Sequence, residues 1–324
     1  MTAQNYIQNA LSELREPVEL PKQLKDLPLK EAIKKRILSH KFRKYSAKPE
    51  LVEHIEIAVT DAMEKEEPIN LTFLNGAYKL WRLEEAPHPD WAELFSLIYF
   101  TNWVKPICGL YKPGVWFDFF MDDWIVTELN NIDQKNVDLY LEGFNKLITF
   151  IKQFQPSNLR MTLTPVKSQF ESRESFDGLI EKEVQKLTKE KGGLVELEKA
   201  EESAIDLNAQ PTKEQLVDPD WKRKSAHLHT AYMRVKAGPG YHHRKDKILV
   251  FTQPLPSGML LSVGTTKTSI VKFWVGVGAL QKRGESYIET ILSFKQLNNA
   301  NLDTERFNID GLDHKNFKTI RYLS

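Results

Sequence analysis

The sequence predicts an α/β fold, with a mostly parallel sheet covered by helices and interrupted by a helical insertion. Three observations carry that expectation. Between residues 68 and 166, short apolar β-rich runs alternate with amphipathic segments in the order strand, helix, strand, helix, strand, the pattern of crossovers onto a parallel sheet. The run from Val115 to Phe120 is almost continuously apolar, as a strand covered on both faces must be. Residues 167 to 230 are charged and helical, rich in Lys and Glu, and the last third is β-rich again.

Taken in order, Tyr6, Ile7, Leu11 and Leu14 give residues 3 to 15 helical spacing, and Pro17, Pro21 and Pro28 break the chain into a connector. The basic run containing Lys34, Lys35, Arg36, Lys41, Arg43 and Lys44 has an apolar stripe of Leu29, Ile33, Ile37 and Leu38. It therefore reads as the solvated face of a helix rather than a nucleic-acid patch. Pro49 to Glu64 is a further amphipathic helix. Ile69, Leu71 and Phe73 alternate in a strand that ends at Asn75-Gly76, with Lys79 and Arg82 just beyond. Asp90 is a good N-cap and Glu93 completes a capping box for an aromatic helix from Trp91 to about Lys105, which Pro106 and Gly109 are expected to end. Tyr111-Lys112-Pro113-Gly114 turns the chain into the central strand, which closes on Asp122 and Asp123. Val137, Leu141, Phe144 and Leu147 mark the next helix, and LRMTLTPV the returning strand.

Four segments follow from this order: N-terminal helices packed on the core (1–67), an α/β core (68–166), a charged helical insertion or lid (167–230) and strands completing the same sheet (231–324). The core is expected to be Rossmann-like. The 45 Lys and Arg against 44 Asp and Glu leave a formal charge of +1, which supplies no global field toward nucleic acid or an anionic membrane. Cys108, the one cysteine, excludes an internal disulfide and reads as a buried, inert thiol. There is no apolar leader and no stretch of about 18 uninterrupted apolar residues, so the expectation is a cytoplasmic protein with small-molecule rather than membrane or nucleic-acid partners.

In open α/β sheets ligands bind outside the carboxyl ends of strands, which singles out Asp122 and Asp123. Asp118, inside the apolar run, must find a cation or hydrogen-bond donors. The plainer reading, that Asp122 and Asp123 cap the next turn, stands beside the functional one. Lys79 and Arg82 after a strand form a candidate anion site. Gly264-Thr265-Thr266-Lys267-Thr268-Ser269 sets small hydroxyls and a lysine after a glycine, a pattern that cradles phosphate, although it lacks the glycine before lysine of a P-loop; the alternative is an ordinary Thr-rich loop. Lys79, Arg82, Arg234 and Lys267 are expected to converge on one pocket. His227 and His229, two apart on a helix, do not share a face, whereas the His242-His243 loop is a candidate ligand or catalytic pair.

The order Pro68-Ile69, Lys79, Pro89-Asp90 with Glu93, Tyr111 with Pro113-Gly114, and Asp122-Asp123 resembles the pyoverdine/dityrosine biosynthesis family, the isonitrile synthases. A weaker match continues through Tyr232-Met233-Arg234, which stands for an arginine-containing strand, then Lys247-Ile248 and Thr265 to Thr268. Where the family carries histidines, after that arginine and in the Thr-containing turn, this chain has Lys236-Ala237 and Lys267-Thr268. The resemblance implies a biosynthetic transferase or lyase that condenses an amino acid's amine with the carbonyl of a sugar phosphate, without cofactor or metal. It implies catalytic Asp122, Asp123 and Lys79, and phosphate binding by Arg82, Arg234, Lys267, Thr265 and Thr266. Two other readings remain open: a phosphate or nucleotide transferase whose Asp118, Asp122 and Asp123 hold a divalent metal, and a non-catalytic relative that binds a ligand.

Overall fold

The computed structural model describes residues 1–16, 22–202, 212–237, 246–252 and 260–323, so His242-His243 lies outside the described residues. The chain enters its sheet at the centre. β1 (Ile69–Gly76) pairs in parallel with β2 (Val115–Asp122), from Ile69 opposite Val115 to Gly76 opposite Asp122, and β2 pairs in the same sense with β3 (Leu159–Pro165). The chain then returns to the other side of β1, where β4 (Lys247–Phe251) and β5 (Leu261–Ser262) complete a five-stranded parallel sheet ordered β3-β2-β1-β4-β5. Winding first one way and then the other leaves a topological switch point between β1 and β4.

The helices that cover this sheet begin where the sequence says they should. α1 (Ala3–Ser12) is capped by Thr2, α2 spans Leu29–Ile37 and α3 spans Pro49–Glu64 with its proline in the first turn, where a missing N–H costs nothing. α4 (Trp91–Leu110) opens on a full Asp90/Glu93 capping box. The expected stop at Pro106 does not occur, and the helix continues to Leu110 because Arg36 reaches in to satisfy the carbonyls of Asn102 and Trp103. The stop comes at Tyr111 to Gly114. Gly114 has φ +78°, and a Cβ there would lie 1.9 Å from the Asn158 carbonyl oxygen, so only glycine can make this turn. α5 (Asp123–Glu128) and α6 (Gln134–Lys152) follow β2.

Every residue of β1 is buried, and all of β2 but Trp116. The core is aromatic: the Phe100 ring of α4 lies 5.0 Å from Phe73 and 5.1 Å from Phe117, and Phe119 lies 5.0 Å from Phe144 of α6. Asp118, 2% exposed within this run, accepts from the hydroxyls of Thr162 (2.6 Å) and Thr164 (2.7 Å) on β3, finding donors rather than a cation. Cys108 is buried and free, its thiol pushed up to about 12 by burial.

The last strands do not all join the first sheet. β6 (Gly276–Arg283), β7 (Ser286–Ser293), β8 (Asp303–Arg306) and β9 (Thr319–Leu323) form a second, mixed sheet ordered β7-β6-β9-β8. The reason lies in the connections, since a parallel neighbour needs a crossover of roughly a dozen residues. β6 and β7 are joined tightly, with Arg283 opposite Ser286 and Gly284 at φ +60°, so they must form an antiparallel hairpin. This sheet packs on the start of α4, where a Cβ on Gly278 would come within 2.3 Å of the Trp91 backbone.

The charged insertion folds as α7 (Arg173–Leu187), α8 (Lys191–Glu202) and α9 (Pro219–Ala237), which pack on one another. Phe176 joins them to the body, its ring 5.1 Å from Trp124 of α5 and 5.3 Å from Tyr232. Tyr232-Met233-Arg234 is therefore helical and not a strand, and α9 crosses the expected boundary at residue 230; its buried Ser225, Ala226, Thr230 and Ala231 recur at helical spacing. Among the described residues no helix is long and apolar enough to cross a membrane.

Candidate functional site at the carboxyl edge

β1 and β2 end side by side, Gly76 opposite Asp122, at the carboxyl edge next to the switch point. Gly76 is required there: a Cβ would lie 2.7 Å from the Trp274 indole nitrogen and 2.9 Å from the Tyr78 ring, so both side chains close directly over the strand's end. Asp122 begins α5 without using its side chain as a cap, which leaves the carboxylate for other partners. Asp123, 1% exposed, accepts from the Lys167 backbone N–H at 3.1 Å through Oδ1, while its buried Oδ2 makes no hydrogen bond among the described residues and lies 3.7 Å from the Lys167 ammonium. Burial raises the Asp123 pKa against the pull of Lys167.

Two phenols face this acidic edge. Tyr232 comes from the insertion, and burial together with the charges of Asp122 and Asp123 raises its pKa well above the usual value. Tyr78 is raised by burial and then by Asp122, with Arg82 opposing. Both phenols therefore stay protonated at neutral pH and can act as hydrogen-bond donors. On either side of the switch point, Asn75 Oδ1 at the end of β1 and Thr252 Oγ1 just past β4 are buried without a hydrogen-bond partner among the described residues. Buried polar atoms are ordinarily paired, and unpaired ones at the edge where such folds bind ligands make this a candidate site for a polar molecule.

The expected convergence of four cations is not what the structure builds. Lys79, its side chain fully buried, lies 2.7 Å from Asp90, 2.9 Å from Glu93 and 2.8 Å from the Phe273 carbonyl oxygen. Tyr140 donates to Glu93 at 3.1 Å, and the Gly278 N–H donates to Asp90 at 3.2 Å. Burial pushes the Glu93 carboxyl up to about 8, and a protonated Glu93 leaves Lys79 and Asp90 as a neutral pair; burial opposes the Lys79 charge, but its two carboxyl neighbours outweigh it and raise its pKa. Lys79 is thus the tie between α4, α6 and the second sheet. Arg234 lies on α9, paired with Glu196 (2.6 Å) and Glu183 (3.2 Å). Arg82 is exposed, its guanidinium 5.1 Å over the Phe294 ring, and is the one of the four that reaches the Tyr78 environment.

The Thr-rich turn is satisfied internally. Thr265 and Thr266 are buried; Thr265 donates to the Val271 carbonyl at 2.8 Å, and Thr266 Oγ1 accepts from the Ser269 N–H at 3.1 Å. Their hydroxyls hold the loop's own shape, and Lys267 alone of the three is exposed. Tyr232, Tyr78, Asn75, Thr252 and Trp274 were not named as site residues by sequence reasoning, and Tyr232 entered it only beside Arg234 in a motif match. Only Asn75 had a local signal, the Asn-Gly ending of a strand.

The fold is a parallel α/β sheet in the Rossmann order with a second small sheet, and the candidate site lies at its carboxyl edge. The chain is similar in structure to the PvcA protein from Pseudomonas aeruginosa, with a TM-score of 0.65 and 16% identity over 92% of this chain and 100% of that one. At that identity the likeness is one of fold. No family model matches the sequence, and no curated protein does.

Proposed function

We propose that the chain is an isonitrile synthase-like enzyme that condenses the amine of an amino acid with the carbonyl of a sugar phosphate at the carboxyl edge of β1 and β2. The observation that carries this reading is the juxtaposition of Asp122 and Asp123 with the protonated Tyr232 and Tyr78. The ordered motifs that resemble the isonitrile synthases support it, and so does the fold shared with PvcA. In this reading Asp122 or Asp123 holds the amine and takes its proton as nitrogen attacks the carbonyl carbon. A phenol donates to the oxygen, and one water leaves as the C–N double bond forms. Arg82 is the cation at this edge for the sugar's phosphate, and Lys79 positions the β1–α4 connection rather than touching substrate.

The metal-dependent alternative loses support because Asp118 is turned to Thr162 and Thr164 and does not join the other two carboxylates. The non-catalytic alternative draws on Lys236-Ala237 and Lys267-Thr268, which stand where the family has histidines. The test is incubation with a pentulose phosphate labelled with ¹³C at its carbonyl carbon and an aromatic amino acid, read by mass spectrometry. Label in an amino-acid product, absent with Asp122→Asn, supports the synthase. Thermal stabilisation by both compounds without product selects the binding protein, and neither stabilisation nor product overturns both.

A further inference from the structure

A second cavity, of about 740 Å³, lies between α1, α4, the segment after α2 and the second sheet, and shares no lining residue with the carboxyl edge. Arg36, Lys41 and Lys267 line it. Arg36 is only 9% exposed; its Nε and Nη2 donate to the Trp103 and Asn102 carbonyls at 2.7 Å, while Nη1 makes no hydrogen bond among the described residues. Neither Lys41 nor Lys267 forms an ion pair among the described residues, and Lys267 and Arg36 are close enough to add to the lowering of the Lys41 pKa that partial desolvation causes. A fourth cation, the Lys44 ammonium, donates to the Lys267 carbonyl at 3.2 Å.

The carboxylates that also line the cavity are engaged elsewhere. Glu13 and Glu16 act on Lys105, whose ammonium donates to the Glu13 carbonyl, and Glu289 acts on the Tyr6 phenol. Charge is thus sorted along the cavity, with cations facing one another at one end. Like charges brought together without a counter-charge are unfavourable unless an anion joins them, and a buried guanidinium with a free N–H offers the directional contact that an oxyanion needs.

We infer that the Arg36, Lys41 and Lys267 end of this cavity binds a phosphate dianion, either free or as the head of a soluble phosphate monoester. No carboxylate is among the charges that act on Lys41, so this end of the cavity is cationic, and the cavity is large enough for a monoester's organic part. This site stands whether or not the carboxyl edge carries the synthase chemistry.

Isothermal titration of the full chain in a phosphate-free buffer of low ionic strength tests it, with inorganic phosphate and glycerol 3-phosphate as probes. Lys41 and Lys267 are exposed, so Lys41→Gln and Lys267→Gln should fold normally. The expected result is binding by the native chain, weakened roughly tenfold or more by each substitution and lost in the double variant, with Asp122→Asn unchanged. Tighter binding of glycerol 3-phosphate identifies an ester as the occupant, and equal binding identifies free phosphate. No binding of either probe, or equal binding by the double variant, overturns the proposal.

Discussion

Arg36 and Pro106, which lie on different helices, form one hydrogen-bonding unit: the proline withholds the N–H that the Asn102 carbonyl would accept, and the guanidinium supplies a donor in its place at 2.7 Å. Replacing Arg36 with Met should therefore strand two buried carbonyls and cost about 2–4 kcal/mol, at about 1–2 kcal/mol for each. In a Pro106→Ala background the same change should cost less, because the alanine N–H can return to Asn102. Urea unfolding of the four-member cycle measures this, and additive effects would show that the two residues are not coupled.

The Lys79 network makes a sharper claim about charge. Lys79→Met leaves Asp90 and Glu93 buried without their cation and should destabilise the fold by about 3–5 kcal/mol. The pH sign follows from Glu93, whose carboxyl is raised from 4.5 to about 8 in the folded chain. The fold therefore favours the protonated form: the contribution of Glu93 is fully present below about pH 4.5 and is lost as pH rises through about 8. Lys79, raised from 10.5, keeps its contribution across that window and loses it only at higher pH. Glu93→Gln, fixed in the neutral form, should flatten the decline in unfolding free energy between pH 5 and pH 8; an unchanged slope would refute the assignment.

At the carboxyl edge stability and activity should move in opposite directions. Burial raises the Asp123 pKa, so its charge is a burden on the folded state, and Asp123→Asn should leave the melting temperature unchanged or higher. The same variant should lose condensation activity at least a hundredfold if the carboxylate handles the proton of the amine. A loss of stability with activity intact would place Asp123 in a capping role instead.

Gly114→Ala tests the turn into β2. The new methyl would meet the Asn158 carbonyl at 1.9 Å while the backbone holds a positive φ, so the strain exceeds the usual cost of about 1–3 kcal/mol for an unfavourable backbone conformation. Denaturant midpoints should shift accordingly. Gly109→Ala, with nothing among the described residues within 4 Å of the added carbon, is the matched control and should be neutral or slightly stabilising.

The parallel core was legible because its signals are local. The apolar run Val115 to Phe120, the Asp90/Glu93 box and the Pro113-Gly114 turn each fix a strand, a helix start or a reversal by themselves. The error at Pro106 came from a partner distant in sequence, since nothing near Asn102 announces that Arg36 will satisfy it. Lys79 read as part of an anion site because its position after a strand is visible in sequence, whereas its enclosure by Asp90, Glu93 and the Phe273 carbonyl depends on the second sheet. Tyr232 was hidden for a related reason: a phenol on one face of a charged helix gains meaning only when the insertion folds over Asp122 and Asp123. The Thr265-Thr266 turn shows the limit of composition, because hydroxyls that could cradle phosphate serve their own loop equally well.

The clasp between the two sheets also bears on where this molecule can be cut. Removing the chain from residue 273 onward would take from Lys79 its carbonyl acceptor, from Asp90 the Gly278 N–H and from the Trp91 indole the Thr319 carbonyl, which it meets at 2.8 Å. A fragment ending with β5 would keep all five parallel strands yet leave a charged cluster open at the head of α4. The carboxyl-terminal sheet therefore belongs to the smallest autonomous folding unit, and minimal versions of this scaffold should be sought by trimming the α7–α9 insertion instead.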